Sequence, residues 1–209
     1  GETTPKTTKK NTQDISDPII KELWKRFEEE ESDIKKFEYC IQIISKDPED
    51  YVAYLTAGDI LMKLKQYDQV EEKYLKSLEL SDEKCIDVLN NYGIFQSNLS
   101  NYDDAVSWYD KGLKMYPMDN SMIKNKALAL SNLKKYDEAI VWWDKSLKIE
   151  PNVVNVMTDK ATTLAALKKY EEAIVCYDDA LKIEPKYAAA LSNKGNVLNN
   201  LGRHDEAIV

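Results

Sequence analysis

The phrases Tyr109–Pro117 (YDKGLKMYP), Trp143–Pro151 (WDKSLKIEP) and Tyr177–Pro185 (YDDALKIEP) decide the fold. Their closing prolines fall at 117, 151 and 185, a constant 34-residue step. A fixed period of this length marks supersecondary units that cannot bury their apolar faces alone and must stack on their neighbours. It predicts an all-α chain of antiparallel helical hairpins with no single central core. Such an array offers a long surface to a partner and seldom an enclosed active site.

Working outward from these phrases, the units run 51–85, 86–119, 120–153 and 154–187, and an incomplete unit occupies 188–209. The first of them is one residue longer, near Glu83–Cys85, and Asp82 stands where later units carry proline. Residues 17–50 read as a degenerate hairpin: Asp17 is an N-cap, Pro18 suits the first helical position, and Ile20, Leu23, Trp24 and Phe27 recur at helical spacing. Residues 1–16 are rich in Thr, Lys and Asn with little to bury and are expected to be disordered.

The aligned columns have physical sense. Gly58, Gly93, Ala127, Ala161 and Gly195 fall in the first helices, and Val70, Ala105, Ala139, Ala173 and Ala207 in the second. Small residues at both places let two helices approach closely, while Tyr74, Tyr109, Trp143 and Tyr177 supply large aromatic fill. Asp103/Asp104, Asp137/Glu138 and Glu171/Glu172 open second helices, where the helix dipole favours negative charge. The prolines stop each second helix, because an interior proline costs about 3 kcal/mol.

With the 34-residue period, the small-residue columns, the aromatic column and the terminal proline, residues 51–209 resemble the tetratricopeptide repeat family; NKGNVLNNLGRHDEAIV (193–209) and KKYDEAIVWWDKSLKIEP (134–151) look like family phrases almost throughout. Val70, Asp82, Gln96 and His204 depart from the pattern at single contacts. The resemblance implies a right-handed superhelical solenoid whose first helices line a concave face. That face binds an extended peptide or a partner helix, and the family as such is non-catalytic.

On that implied face one column stands out: Asn91, Asn125, Asp159 and Asn193. An asparagine offers one acceptor and two donors, so a row of them can pair with the backbone of an extended peptide. The row looks like the asparagine ladder in the repeats of O-linked N-acetylglucosamine transferase. Asparagine here can equally bond its own scaffold. Asp159 interrupts the row and suits an N–H or a cationic group. Asn90, Lys124, Asn155, Asn196 and Asn200 are further candidates on a mostly neutral, polar lining. No unit carries the lysine and asparagine, one turn apart, with which chaperone-adaptor repeats hold an acidic C-terminal tail.

A second pattern lies between the helices of each hairpin: Lys63 and Lys65, Lys134 and Lys135, Lys168 and Lys169, then Arg203. It reads either as a basic rail or as ordinary compensation of helix C-termini. Trp108 and Trp142, one period apart, either pack between hairpins or form a partly exposed strip.

Other classes find little support in the residues. A net charge of −8 and a pI near 4.9 disfavour nucleic acid and anionic membrane surfaces as partners. Cys40, Cys85 and Cys176 have neither metal-ligand spacing nor an even count, and read as reduced thiols in a cytoplasmic setting. No cofactor motif, metal set or catalytic constellation is seen, and His204, the one histidine, sits in a scaffold column. The expected function is a protein or peptide scaffold. The alternative is the regulatory or substrate-recruiting region of a larger multidomain enzyme such as a glycosyltransferase, because the last unit stops before its aromatic and its proline. An uncapped end, with Leu191, Leu198 and Ile208 lacking their next layer, would also suit self-association.

Overall fold

A computed structural model describes residues 15–82 and 85–208, so the expected disorder of residues 1–16 falls almost wholly outside the described residues, as do Glu83 and Lys84 of the irregular connection. The chain divides into two compact units, Gly1–Asn101 and Tyr102–Val209. The first contains α1 (Pro18–Glu29), α2 (Asp33–Lys46), α3 (Tyr51–Lys63), α4 (Tyr67–Leu80) and α5 (Ile86–Asn98). The second contains α6 (Tyr102–Met115), α7 (Asn120–Asn132), α8 (Tyr136–Ile149), α9 (Val154–Ala166), α10 (Tyr170–Ile183) and α11 (Ala188–Asn200), followed by a 3₁₀ turn at Glu206–Ile208. Within each unit consecutive helices pack on one another, and no strand occurs among the described residues. None of the helices is long and apolar enough to cross a membrane.

Local chemistry sets the helix starts. The Asp17 carboxylate accepts from the backbone N–H of Ile19 and Ile20 at 2.7 and 3.2 Å, and Pro18 follows as the first helical residue. Asp50 accepts from Val52 and Ala53, and Asp119 from Met122, satisfying donors that a helix N-terminus otherwise leaves open.

The helix ends are equally regular. Lys65, Ser100, Lys134, Lys168 and Gly202 all have positive φ, between 58° and 74°. The residue after each donates its N–H back to the carbonyl of Leu61, Gln96, Leu130, Leu164 or Leu198, every bond 2.9 Å long. This is the Schellman closure, which needs a left-handed residue just past the helix. Four of the five positions carry a side chain where glycine alone is unstrained. In the pairs Lys134/Lys135 and Lys168/Lys169 it is the first lysine that stands in this left-handed position.

The core follows the columns. Tyr74, Tyr109, Trp143 and Tyr177 are all buried, as are Ala105, Ala127, Ala139, Ala161 and Ala173. Gly58 shows why the small column is small: a Cβ there would stand 2.6 Å from Cε1 of Tyr74. The ring of α4 lies on the bare backbone of α3. Burial of such a ring stabilises by about 1.5–3 kcal/mol. It then packs edge-on against Tyr92 and Phe95 of α5, with centroids 6.2 Å away in both cases.

The last unit departs from expectation. Residues 204–208 form a turn and a short 3₁₀ segment, although HDEAIV matches the opening of α8 and α10. A helix opening at Asp205 gains its first i→i−4 bond only after a full turn is fixed, and nucleation is the costly step. Leu198 is buried, Leu191 is exposed, and the Ile208 side chain lies outside the described residues.

Two substitutions check this account. Lys134→Gly and Lys168→Gly should each stabilise the protein by about 0.5–1 kcal/mol, read as a higher denaturant midpoint. Gly58→Ala should lower the midpoint, by about 1–3 kcal/mol of stability, because the Tyr74 ring must move.

Candidate functional site

The first helices α9 and α11 of the second unit each turn one stripe outward, whereas the corresponding side of α7 is half-buried. On α9 the apolar and small residues Val154, Val156, Ala161 and Leu164 are buried. Asn155, Asp159, Thr162 and Ala166 are exposed at spacings of four, three and four, which is one helix face. α7 lies beside α9 and α9 beside α11, so Asn125, Asp159 and Asn193 form a row across three neighbouring helices. Asn125 and Asn193 are half-buried, and Asp159 is exposed. Lys124 is half-buried next to Asn125, while Asn196 and Asn200 are exposed along α11. Asn155 is exposed too, but its Oδ1 already accepts from the backbone N–H of Val156 at 2.9 Å.

In the first unit the same columns are closed. Asn91 has no exposed surface and Asn90 only 7%. α3 and α5 bury residues around most of their circumference, Gln96 and Asp59 included. Asn91 donates through Nδ2 to Oδ1 of Asp59 at 2.9 Å, and Tyr74 donates its hydroxyl to that same oxygen at 2.8 Å. The three residues come from α3, α4 and α5, so one carboxylate oxygen joins three helices.

The equivalent triangle recurs in the second unit. Asn193 of α11 donates to Oγ1 of Thr162 at 3.2 Å, and the Tyr177 hydroxyl stands 3.0 Å from it. Thr162 also donates to the Thr158 carbonyl at 2.9 Å. The asparagine amide thus ties α5 in the first unit and α11 in the second to the hairpin before it. What differs is the acceptor, a buried carboxylate in one and an exposed hydroxyl in the other. Sequence columns alone did not mark Asp59, because no other unit has an acid there. A lone acid on an otherwise apolar helix (Val52–Met62) was the signal available.

Burial pushes the Asp59 carboxyl up to about 8, against the pull of the two hydrogen bonds it accepts. Its Oδ2 finds no partner, and neither does the buried hydroxyl of Thr56 one turn earlier. Asp159 is solvent-touched, yet the surrounding protein still raises its carboxyl to about 6. No described residue forms a hydrogen bond or ion pair with that carboxylate.

Three members of the basic pattern form local pairs. Lys63 meets Asp33 at 2.7 Å, Lys135 meets Asp103 at 3.3 Å and Arg203 meets Glu171 at 3.2 Å. Each pair links the end of a first helix to the opening turn of the preceding second helix. A further ladder was not apparent from the sequence. Lys126, Lys160 and Lys194 pair with Asp110, Asp144 and Asp178 at 2.5, 2.6 and 2.6 Å, every member one period from the next. Lys126 also stands 3.9 Å from the ring centroid of Trp142, which Lys145 approaches from 4.7 Å. Trp108 and Trp142 are half-buried, so they pack and remain partly open. Among the described residues no group of His, Cys, Asp and Glu could hold a metal ion.

Three family models match parts of the chain: a tetratricopeptide repeat model over residues 51–84, a TPR repeat model over 162–202, and the model of anaphase-promoting complex, cyclosome, subunit 3 over 98–180. No curated protein matches. Among solved structures, the chain resembles PilW, a widely conserved type IV pilus biogenesis factor, at TM-score 0.81 and 18% identity, covering 92% of this chain and 90% of that one. A tetratricopeptide repeat protein from Parabacteroides merdae gives 0.78 at 17% identity, covering 90% and 76%. YrrB, described as a TPR protein with an unusual peptide-binding site, gives 0.68 at 18% identity, covering 78% and 83%. At these identities the likeness is one of fold.

The Asp59 triangle predicts a pH dependence. A carboxyl bound more tightly to its proton in the folded state stabilises most at low pH. That stability is lost as pH rises from the ordinary carboxylate range towards about 8, by up to about 1.4 kcal/mol per pH unit. Asp59→Asn keeps an oxygen for Tyr74 and Asn91 without the charge. Denaturant melts at several pH values should show the variant gaining on the parent as pH rises, and the difference levelling off above about 8.

Proposed function

Since the chain belongs to the tetratricopeptide repeat family, we propose that it is a non-catalytic protein-interaction scaffold whose second unit holds an extended segment of a partner protein. The observation that carries this reading is the row Asn125, Asp159 and Asn193 on three neighbouring helices, set in a polar stripe that α9 and α11 turn outward.

Spacing supports an extended ligand. Helices in contact stand about 8–10 Å apart, and an extended chain advances about 3.3 Å per residue. Neighbouring rungs therefore meet every third peptide unit. Asn193 directs its amide N–H groups to Thr162 and to the Tyr177 hydroxyl, and no described residue donates to its Oδ1. That leaves the Oδ1 acceptor for a peptide N–H. The buried Asn90 and Asn91 belong to the scaffold, so the reading rests on the second unit, with Lys124, Asn155, Asn196 and Asn200 beside the row. The peptide-binding site described for YrrB makes the same use of this fold conceivable here. The three free cysteines fit a reducing, cytoplasmic setting.

The test is a selection of linear random-sequence peptides on the folded protein, followed by titration of the winners. Micromolar binders are expected, and Asn125→Ala and Asn193→Ala should each weaken them about fivefold, one hydrogen bond's worth, with circular dichroism unchanged. Binders indifferent to both substitutions would move the contact off this row.

A further inference from the structure

Of the sixteen acids of the second unit, seven form ion pairs among the described residues, and Asp159 is one of the nine that do not. Asp103, Asp110, Asp144, Asp178, Asp179, Glu171 and Glu206 each face a lysine or arginine of the fold. Asp159 pairs with no described residue, although it is the one acid on the three first helices α7, α9 and α11. Of the four lysines on those helices, Lys126, Lys160 and Lys194 are held by Asp110, Asp144 and Asp178. Lys124 is the remaining one and forms no ion pair among those described. Three of the four lysines on these helices are thus matched to acids of the neighbouring second helices, and none of the four to Asp159.

Its position adds chemistry. Asp159 occupies the middle rung of a row whose outer rungs are asparagines. An asparagine can answer both the N–H and the C=O of a peptide, whereas an ionised carboxylate only accepts. A carboxylate at the middle rung therefore costs one donor to a peptide carbonyl and gains a charge. One turn further along α9, Thr162 already donates to the Thr158 carbonyl and meets Tyr177 and Asn193. Its hydroxyl has no hydrogen left to neutralise Asp159. The surrounding protein already raises the carboxyl above its ordinary range, the mark of a charge poorly solvated where it stands.

We infer that the middle rung selects a cationic side chain: the extended segment bound in the second unit carries a lysine or arginine opposite Asp159, flanked three residues away on either side by backbone contacts to Asn125 and Asn193. This rests on the peptide reading above and names the class of partner. The net charge of −8 favours the approach of a basic segment.

The same random-peptide selection distinguishes the two readings. Wild-type winners should share one position enriched in Lys or Arg. Asp159→Asn should still select peptides but without that enrichment, and should bind the wild-type winners about tenfold more weakly at low salt. Asp159→Lys should move the preference at that position to Asp or Glu. Melting of both variants should match the parent, because the side chain is exposed and joins no ion pair of the described fold. Selection of no peptide by the wild type would overturn the scaffold reading together with this one. Peptides with no basic position, or an unchanged preference in Asp159→Asn, would overturn this inference alone.

Discussion

Everything in this molecule depends on how closely two helices of a hairpin can cross. A large ring on one helix needs bare backbone on the other. At Gly58 a single added carbon would intrude on the Tyr74 ring. Elsewhere alanines hold the two helices of a hairpin close, and the aromatic column fills what remains. The 34-residue period is this crossing repeated. It places every first helix in the same orientation within its unit, so that side chains one period apart fall in rows.

Those rows carry two kinds of chemistry. One kind is structural. The Lys126, Lys160 and Lys194 ion pairs recur at identical places and bind each first helix to the second helix before it. Such partly exposed pairs contribute modestly one at a time, about 0.2–1 kcal/mol, but they fix register at every step. The pairs of Lys63, Lys135 and Arg203 do likewise at the hairpin ends. Three members of what looks like a basic rail in the sequence are thus paired with acids that open the neighbouring helices.

The asparagine column is structural in both units, and in the second it is proposed to meet a partner as well. In each unit the amide donates back to the preceding hairpin, to Asp59 or to Thr162. In the first unit that duty takes place in the interior. In the second it occurs at the surface, and the Oδ1 acceptor is met by no described donor. A buried acid with one unpartnered oxygen, such as Asp59, is a cost the first unit carries for joining three helices at one atom. Asp159, an exposed acid in no ion pair among the described residues, stands on the face turned outward.

The sequence by itself determined the repeat. Small residues, aromatics and prolines recur because each hairpin meets the same steric problem, and a periodic problem leaves a periodic trace. It also marked Asp17 and Pro18, whose capping chemistry is local. Burial and pairing were decided only by the tertiary structure. Asn91 and Asn193 are the same letter in the same column, yet one is enclosed and the other half-open, because enclosure depends on every helix around a side chain. Asp59 became legible only once α4 and α5 brought Tyr74 and Asn91 to it from 15 and 32 residues away. The left-handed turns at Lys134 and Lys168 were hidden for the opposite reason: backbone conformation there is imposed by closing the hairpin, and a lysine gives no sign that it stands where glycine would be unstrained.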